Sequence, residues 1–131
     1  MEELIKVEHL TKEFPVHSSL VDLMFNGFKQ SMVHAVDDIS FTIYRGEVLG
    51  LAGESGSGKS TTGRLLLRLL EATGGRVDYK GRDLISFSSR EMEEMRKKLQ
   101  IVFQDPNSSL SPRVSVGQAI SHPLKINEMG N

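Results

Sequence analysis

The chain has 131 residues, with 16 Lys+Arg against 17 Asp+Glu and a formal charge of −1 at pH 7. That near-balance removes the electrostatic footprint of a general nucleic-acid binder, and the lack of cysteine excludes disulfides, thiolate zinc sites and Cys-ligated iron–sulfur clusters. The length suffices for one domain with a core, while neither a signal-peptide core nor a run long enough to cross a bilayer as a helix occurs.

In chain order, residues 4–10 carry apolar side chains at 5 and 7 and, less regularly, at 4 and 10, which predicts a first strand. Residues 17–32 place Leu20, Leu23, Met24 and Phe28 at helical spacing inside a polar stretch. A surface insertion with a small apolar face is the plain reading; a partner- or membrane-facing element is the alternative. Residues 33–36 and 39–44 predict two more strands, the second alternating Ile39, Phe41 and Ile43 with polar neighbours. The mostly apolar run 47–52 suits a buried parallel strand.

Lys59 to Glu71 carries Leu65, Leu66, Leu67, Leu69 and Leu70 without proline, a helix expected to stop ahead of Gly74-Gly75. A short strand over 76–79, a turn over 80–83 and a helix over 90–98, capped by Ser88 or Ser89, follow. That helix has acidic residues first and basic residues last, with Glu93–Lys97 and Glu94–Lys98 spaced as i,i+4 pairs, and reads as a solvated face. Residues 99–103 predict another buried strand, and 114–120 one or two helical turns before Pro123. The four histidines, at 9, 17, 34 and 122, have no metal-ligand spacing.

Between the 47–52 strand and the helix lies Gly53-Glu54-Ser55-Gly56-Ser57-Gly58-Lys59-Ser60-Thr61, a match to G-x-x-x-x-G-K-[ST]. Glycines let the backbone curl so that successive N–H groups face phosphate oxygens, and the following helix points its positive dipole end at the same place. Lys59 would bring a full charge toward β/γ-phosphates and the Ser60 hydroxyl would hold Mg²⁺.

With these features the sequence resembles the ATP-binding subunit of an ABC transporter, of the oligopeptide/dipeptide importer group, over nearly its whole length. The resemblance rests on the 10–16 segment, on Ala35-Val36-Asp37-Asp38-Ile39-Ser40-Phe41, on the phosphate loop and Gly63-Arg64-Leu65-Leu66, and on Phe103-Gln104-Asp105-Pro106-Asn107-Ser108-Ser109-Leu110-Ser111-Pro112-Arg113. The last run is the narrowest signal, since many NTPases share the loop.

What the resemblance implies is an α/β, ABC ATPase-type P-loop NTPase fold, C-terminally incomplete. An antiparallel β-subdomain would occupy 1–46, the P-loop core 47–104 and the start of a helical subdomain 105–131. It implies ATP and Mg²⁺ as cofactors. The loop residues Gly53, Glu54, Ser55, Gly56, Ser57, Gly58, Lys59, Ser60 and Thr61 would hold the phosphates. Phe14 would stack on adenine, with a strand-end core residue as the alternative; Val36 would pack near adenine or ribose. Gln104 would approach Mg²⁺ and the attacking water, a task a neutral amide suits because it can accept through oxygen and donate through nitrogen. Lys59 and Gln104 are thus the candidate catalytic residues, and Ser60 and Gln104 the candidate metal contacts.

The implied partners are a second ATPase subunit, identical or not, and membrane permease subunits met by the 104–123 region, with no nucleic acid. The implied location is the cytoplasmic face of the membrane. The family's Leu-Ser-Gly-Gly-Gln signature, its Asp-Glu strand end and its switch histidine do not occur in these residues. The expectation is therefore ATP binding without efficient turnover, and self-association through uncovered core edges. A non-hydrolysing nucleotide-binding fragment and an ABC ATPase with a role other than transport are the alternatives.

Overall fold

The computed structural model describes residues 1–16, 31–105, 111 and 113–126. Residues 17–30 of the expected insertion at 17–32, and most of the 106–112 run, lie outside the described residues, whereas Met32 already belongs to a strand. The chain forms two units, Met1–Ser89 and Arg90–Asn131.

The first unit is built on strands β1 (Glu3–Pro15), β2 (Met32–Tyr44), β3 (Gly74–Tyr79) and β4 (Arg82–Asp83), with helix α1 (Lys59–Leu66) between β2 and β3. The sheet order is β2-β1-β3-β4 and every pairing is antiparallel. Val7 pairs with Phe41 on one side and Val77 on the other. The core gathers around this line: Val7, Leu10, Val36, Leu65, Val77, Leu84 and Phe87 are all buried. Each such side chain contributes about 1.5–3 kcal/mol of burial free energy.

Period-two alternation should put Val7 and Leu10 on opposite faces, yet both are fully buried. His9 resolves the conflict. It adopts φ 51°, and the register slips between Val7 and Leu10 against β2 and between Glu8 and Thr11 against β3. One extra residue returns Leu10 to the core face. Strand β2 carries the counterpart: Asp38, at φ 47°, sits where the ladder passes from Leu10↔Ile39 to Lys12↔Val36. Their side chains meet, His9 Nδ1 lying 2.7 Å from Asp38 Oδ1, and the His9 N–H donates to Ser40 Oγ at 2.8 Å. The two expected strands over 33–36 and 39–44 are therefore one irregular strand.

Three further expectations are corrected. The runs 47–52 and 99–103 are not strands; Val48 and Val102 are each 96% exposed. An apolar run records a tendency to be buried, but a strand exists only where a neighbour accepts its ladder, and no described segment pairs with either. Helix α1 ends eight residues ahead of Gly74, not beside it. Arg68 takes the left-handed conformation at φ 50°, the Arg68 N–H donates to Leu65 O at 2.9 Å and the Leu69 N–H to Arg64 O at 2.8 Å. This is a Schellman cap with arginine in the place glycine usually holds. The left-handed conformation costs about 1–2 kcal/mol, offset by the Arg68 guanidinium, which donates to Leu84 O at 3.0 Å and Phe87 O at 2.9 Å. Gly75 instead serves the sheet: at φ +77°, a Cβ there would fall 2.2 Å from His9 O.

The second unit holds most of α2 (Ser89–Arg96), and α3 (Val116–Ile126). On α2 and the turn after it, Glu94 pairs with Lys97, spaced i,i+3 at 2.8 Å, where an i,i+4 partner was expected for each residue. The Lys97 ammonium, through its hydrogen bond and its charge, holds the Glu94 carboxyl below its ordinary range. Helix α3 runs through Pro123, where a stop was expected. Proline removes one internal hydrogen bond, and the helix spans the gap with turns on either side. Its start has a reciprocal cap: the Gln118 N–H donates to Ser115 Oγ at 3.3 Å and the Ser115 N–H to Gln118 Oε1 at 3.2 Å.

Candidate functional site

The Gly53–Thr61 loop is positioned by one close backbone contact. At Gly58 (φ +88°) a Cβ would lie 2.1 Å from Ala35 O and 3.6 Å from Val36 Cγ2, so only glycine lets the loop rest directly on β2. Gly58 is also the N-cap of α1, with no side-chain cap. Its carbonyl accepts from the Thr62 N–H at 2.8 Å and from Thr62 Oγ1 at 3.1 Å. The buried Thr62 thereby ties the first turn to the loop.

No carboxylate occupies the first turn of α1, so the helix presents its N–H groups and positive dipole end without a competing anion. Lys59, half-buried, folds back over the loop. Its ammonium donates to Gly53 O at 2.7 Å, Glu54 O at 2.5 Å and Ser57 Oγ at 3.1 Å. This holds the charge above the loop and closes the curve that the Ser57 N–H begins by donating to Glu54 O at 3.2 Å. Ser60 is exposed and Thr61 half-buried beside it.

Phe14 and Val36 lie on the adjoining strands of the β1–β2 ladder. Phe14 pairs with Val33 and Lys12 with Val36; Val36 is buried at the Gly58 contact, and Phe14 is 38% exposed. Phe14 thus retains an open ring, whereas Val36 supports the loop from below. The Lys12 ammonium lies over the Phe14 ring, 5.0 Å from its centroid, a contact within cation–π range. Gln104 is exposed and belongs to the second unit.

The residues present suit a chain of phosphates such as that of a nucleoside triphosphate. An uncapped helix end, a curled glycine loop and a lysine held over it form a donor set for phosphate oxygens. For a divalent cation the described chain offers hydroxyls, Ser60 foremost, and no cluster of three or more His, Asp or Glu among the described residues. That matches Mg²⁺ carried in with phosphates and waters rather than caged by protein. Sequence reasoning did not find Lys12, Ser57 as a partner of Lys59, or Arg68. The first was signalled by its i,i+2 spacing from Phe14 on one strand; the last by nothing local. No described helix is long and apolar enough to cross a membrane.

The model of the family described as "ABC transporter" matches residues 36–129. The chain is 45% identical over 129 residues to the glutathione import ATP-binding protein GsiA of Salmonella paratyphi A, covering 98% of this chain and 20% of that protein. It is also 45% identical over 124 residues to a probable peptide ABC transporter ATP-binding protein, y4tS, of Sinorhizobium fredii, covering 93% and 33%. The chain thus spans between a fifth and a third of the length of these relatives. Among solved structures, the ATP-binding cassette MJ0796 in a dimeric post-hydrolysis state bound to ADP and Pi is similar in fold, with TM-score 0.73 at 22% identity over 98% of this chain and 50% of that one. The family match over residues 36–129 and the cassette fold agree with the resemblance read from the motifs: the chain belongs to the ABC transporter family.

Proposed function

We propose that these residues form the nucleotide-gripping part of an ABC-type ATPase subunit that powers uptake of peptides, with ATP and Mg²⁺ as its cofactors. The observation that carries this is the seating of Gly58 on Ala35 O with Lys59 drawn over the loop, because it fixes a cationic, N–H-rich cradle on a rigid sheet. Names of the relatives, one a glutathione importer subunit and one a probable peptide transporter subunit, support the substrate class.

In this reading the loop from Gly53 to Thr61, Glu54, Ser55, Gly56 and Ser57 included, wraps the phosphates with backbone N–H groups. Lys59 neutralises their charge, and Ser60 gives an oxygen to Mg²⁺. Bound ATP supplies the phosphoryl group and the free energy of its hydrolysis. Phe14 offers its exposed ring to the base, Val36 holds the loop at the right height, and Gln104 supplies an amide toward the metal and the water.

A second ATPase subunit completes the site, and the 104–123 region meets permease subunits at the cytoplasmic face of the membrane. Turnover draws on groups that the sequence does not carry, the signature and the Asp-Glu strand end. Titrating MgATP into the chain by calorimetry is expected to give saturable binding, weakened about tenfold or more in Lys59→Ala, the loss of a charged hydrogen-bonding partner. Equal affinity in both proteins would overturn the proposal. Steady ATP hydrolysis by the chain alone, abolished in Lys59→Ala, would overturn its account of turnover.

A further inference from the structure

We propose that Lys12 is a positioning and selectivity residue for the nucleobase: its ammonium covers one face of the Phe14 ring and leaves the other as the docking surface. The inference rests on the ATP-binding reading above and adds to it a residue that acts through Phe14. Lys12 and Phe14 are two apart on β1 and their side chains meet, the ammonium 5.0 Å from the ring centroid. The same strand pairs Lys12 with Val36, the residue at the Gly58 contact, and Phe14 with Val33. The ring therefore stands one strand over and two residues along from the point where the loop meets β2, roughly 8 Å by strand spacing and rise. That is a span on the scale of a nucleotide whose phosphates lie in the loop.

Three consequences follow from a cation on one ring face. It holds the ring in one orientation, so less side-chain freedom is lost when a base docks. It draws ring electron density toward itself, which lowers the repulsion a second π-system meets on the opposite face. It also makes the ring one-sided, so a base stacks in one register with respect to the loop. Among the described residues no carboxylate pairs with Lys12, and its acidic neighbour on β1, Glu13, lies 3.1 Å from His34 Nδ1 across the ladder.

The test measures MgATP and inorganic tripolyphosphate binding to the full chain carrying Lys12→Met, Lys12→Arg or Phe14→Ala, beside the unsubstituted protein. Lys12→Met is expected to weaken MgATP binding about two- to fivefold, the scale of an exposed cation–π contact, and to leave tripolyphosphate binding unchanged. Lys12→Arg should restore MgATP affinity, and Lys12→Met placed on Phe14→Ala should have no further effect. A purely structural lysine would shift both ligands together or neither, and either pattern overturns the proposal. Tighter MgATP binding in Lys12→Met would also overturn it, because the ammonium would then be competing for the ring. If the unsubstituted chain binds tripolyphosphate but shows no preference for MgATP, the base-docking role fails while the phosphate cradle stands. If it binds neither, the ATP reading itself fails and this inference with it.

Discussion

The two units of the chain are held together by different means. In Met1–Ser89 a long-range antiparallel ladder buries Val7, Leu10, Val77 and Leu84 at 6% exposure or less. In the second unit α2 buries Met92, whereas α3 has no buried residue, with Val116, Ile120 and Ile126 each more than 60% exposed; the visible stabilisation of α3 is local, a capping pair at Ser115 and Gln118. The phosphate loop belongs to the ladder unit. The cradle draws its rigidity from strand pairing between residues far apart in sequence, so it should respond to damage in the sheet and ignore damage to α3.

The strongest way to break that contrast is Gly75→Ala. The new Cβ would meet His9 O at 2.2 Å in a left-handed backbone, forcing β3 away from the bulge at the sheet centre. We expect a loss of more than about 3 kcal/mol, from strain and disrupted packing together, seen as a lowered thermal transition. A change within about 0.5 kcal/mol would show that the β1–β3 contact is not a keystone. Next in size, Arg68→Ala removes the two guanidinium bonds to Leu84 O and Phe87 O while keeping the left-handed cap. About 1–3 kcal/mol of destabilisation is expected, measured by urea unfolding; Arg68→Gly should cost less, because glycine relieves the backbone strain. The smallest effect belongs to Ser115→Ala, which removes the cap of α3. It should lower helical signal in the second unit by about 0.5–1 kcal/mol of helix stability and leave MgATP affinity unchanged. Weakened nucleotide binding in Ser115→Ala would show the units to be energetically coupled.

The sequence exposed the phosphate loop and its flanking helix start because those signals are local: glycine positions, a lysine and an apolar helical face. It exposed the bulge only as an irregularity, the apolar residues at 4 and 10 falling out of step with 5 and 7; without the pairing partner, that slip has no reading. The helix end was hidden because Arg68 adopts a glycine-like conformation that bonds to Leu84 and Phe87, sixteen and nineteen positions away, make tolerable. The apolar composition of residues 47–52 and 99–103 suggests strands because it measures the gain from burial, but it is silent on who pairs. Phe14 enters only through the family resemblance, and its cationic cover has no reading in the sequence because the expected pairing along β1 ends at residue 10.

The central claim is that the loop from Gly53 to Thr61, seated on β2, is the place where ATP phosphates are held. Backbone amide NMR shifts followed during MgATP titration test it most directly. The largest saturable changes are expected at Gly56, Gly58, Lys59, Ser60 and Thr61, with smaller ones at Lys12 and Phe14, all reduced together in Lys59→Ala. Saturable changes confined to other residues, with the loop amides unmoved, would contradict it.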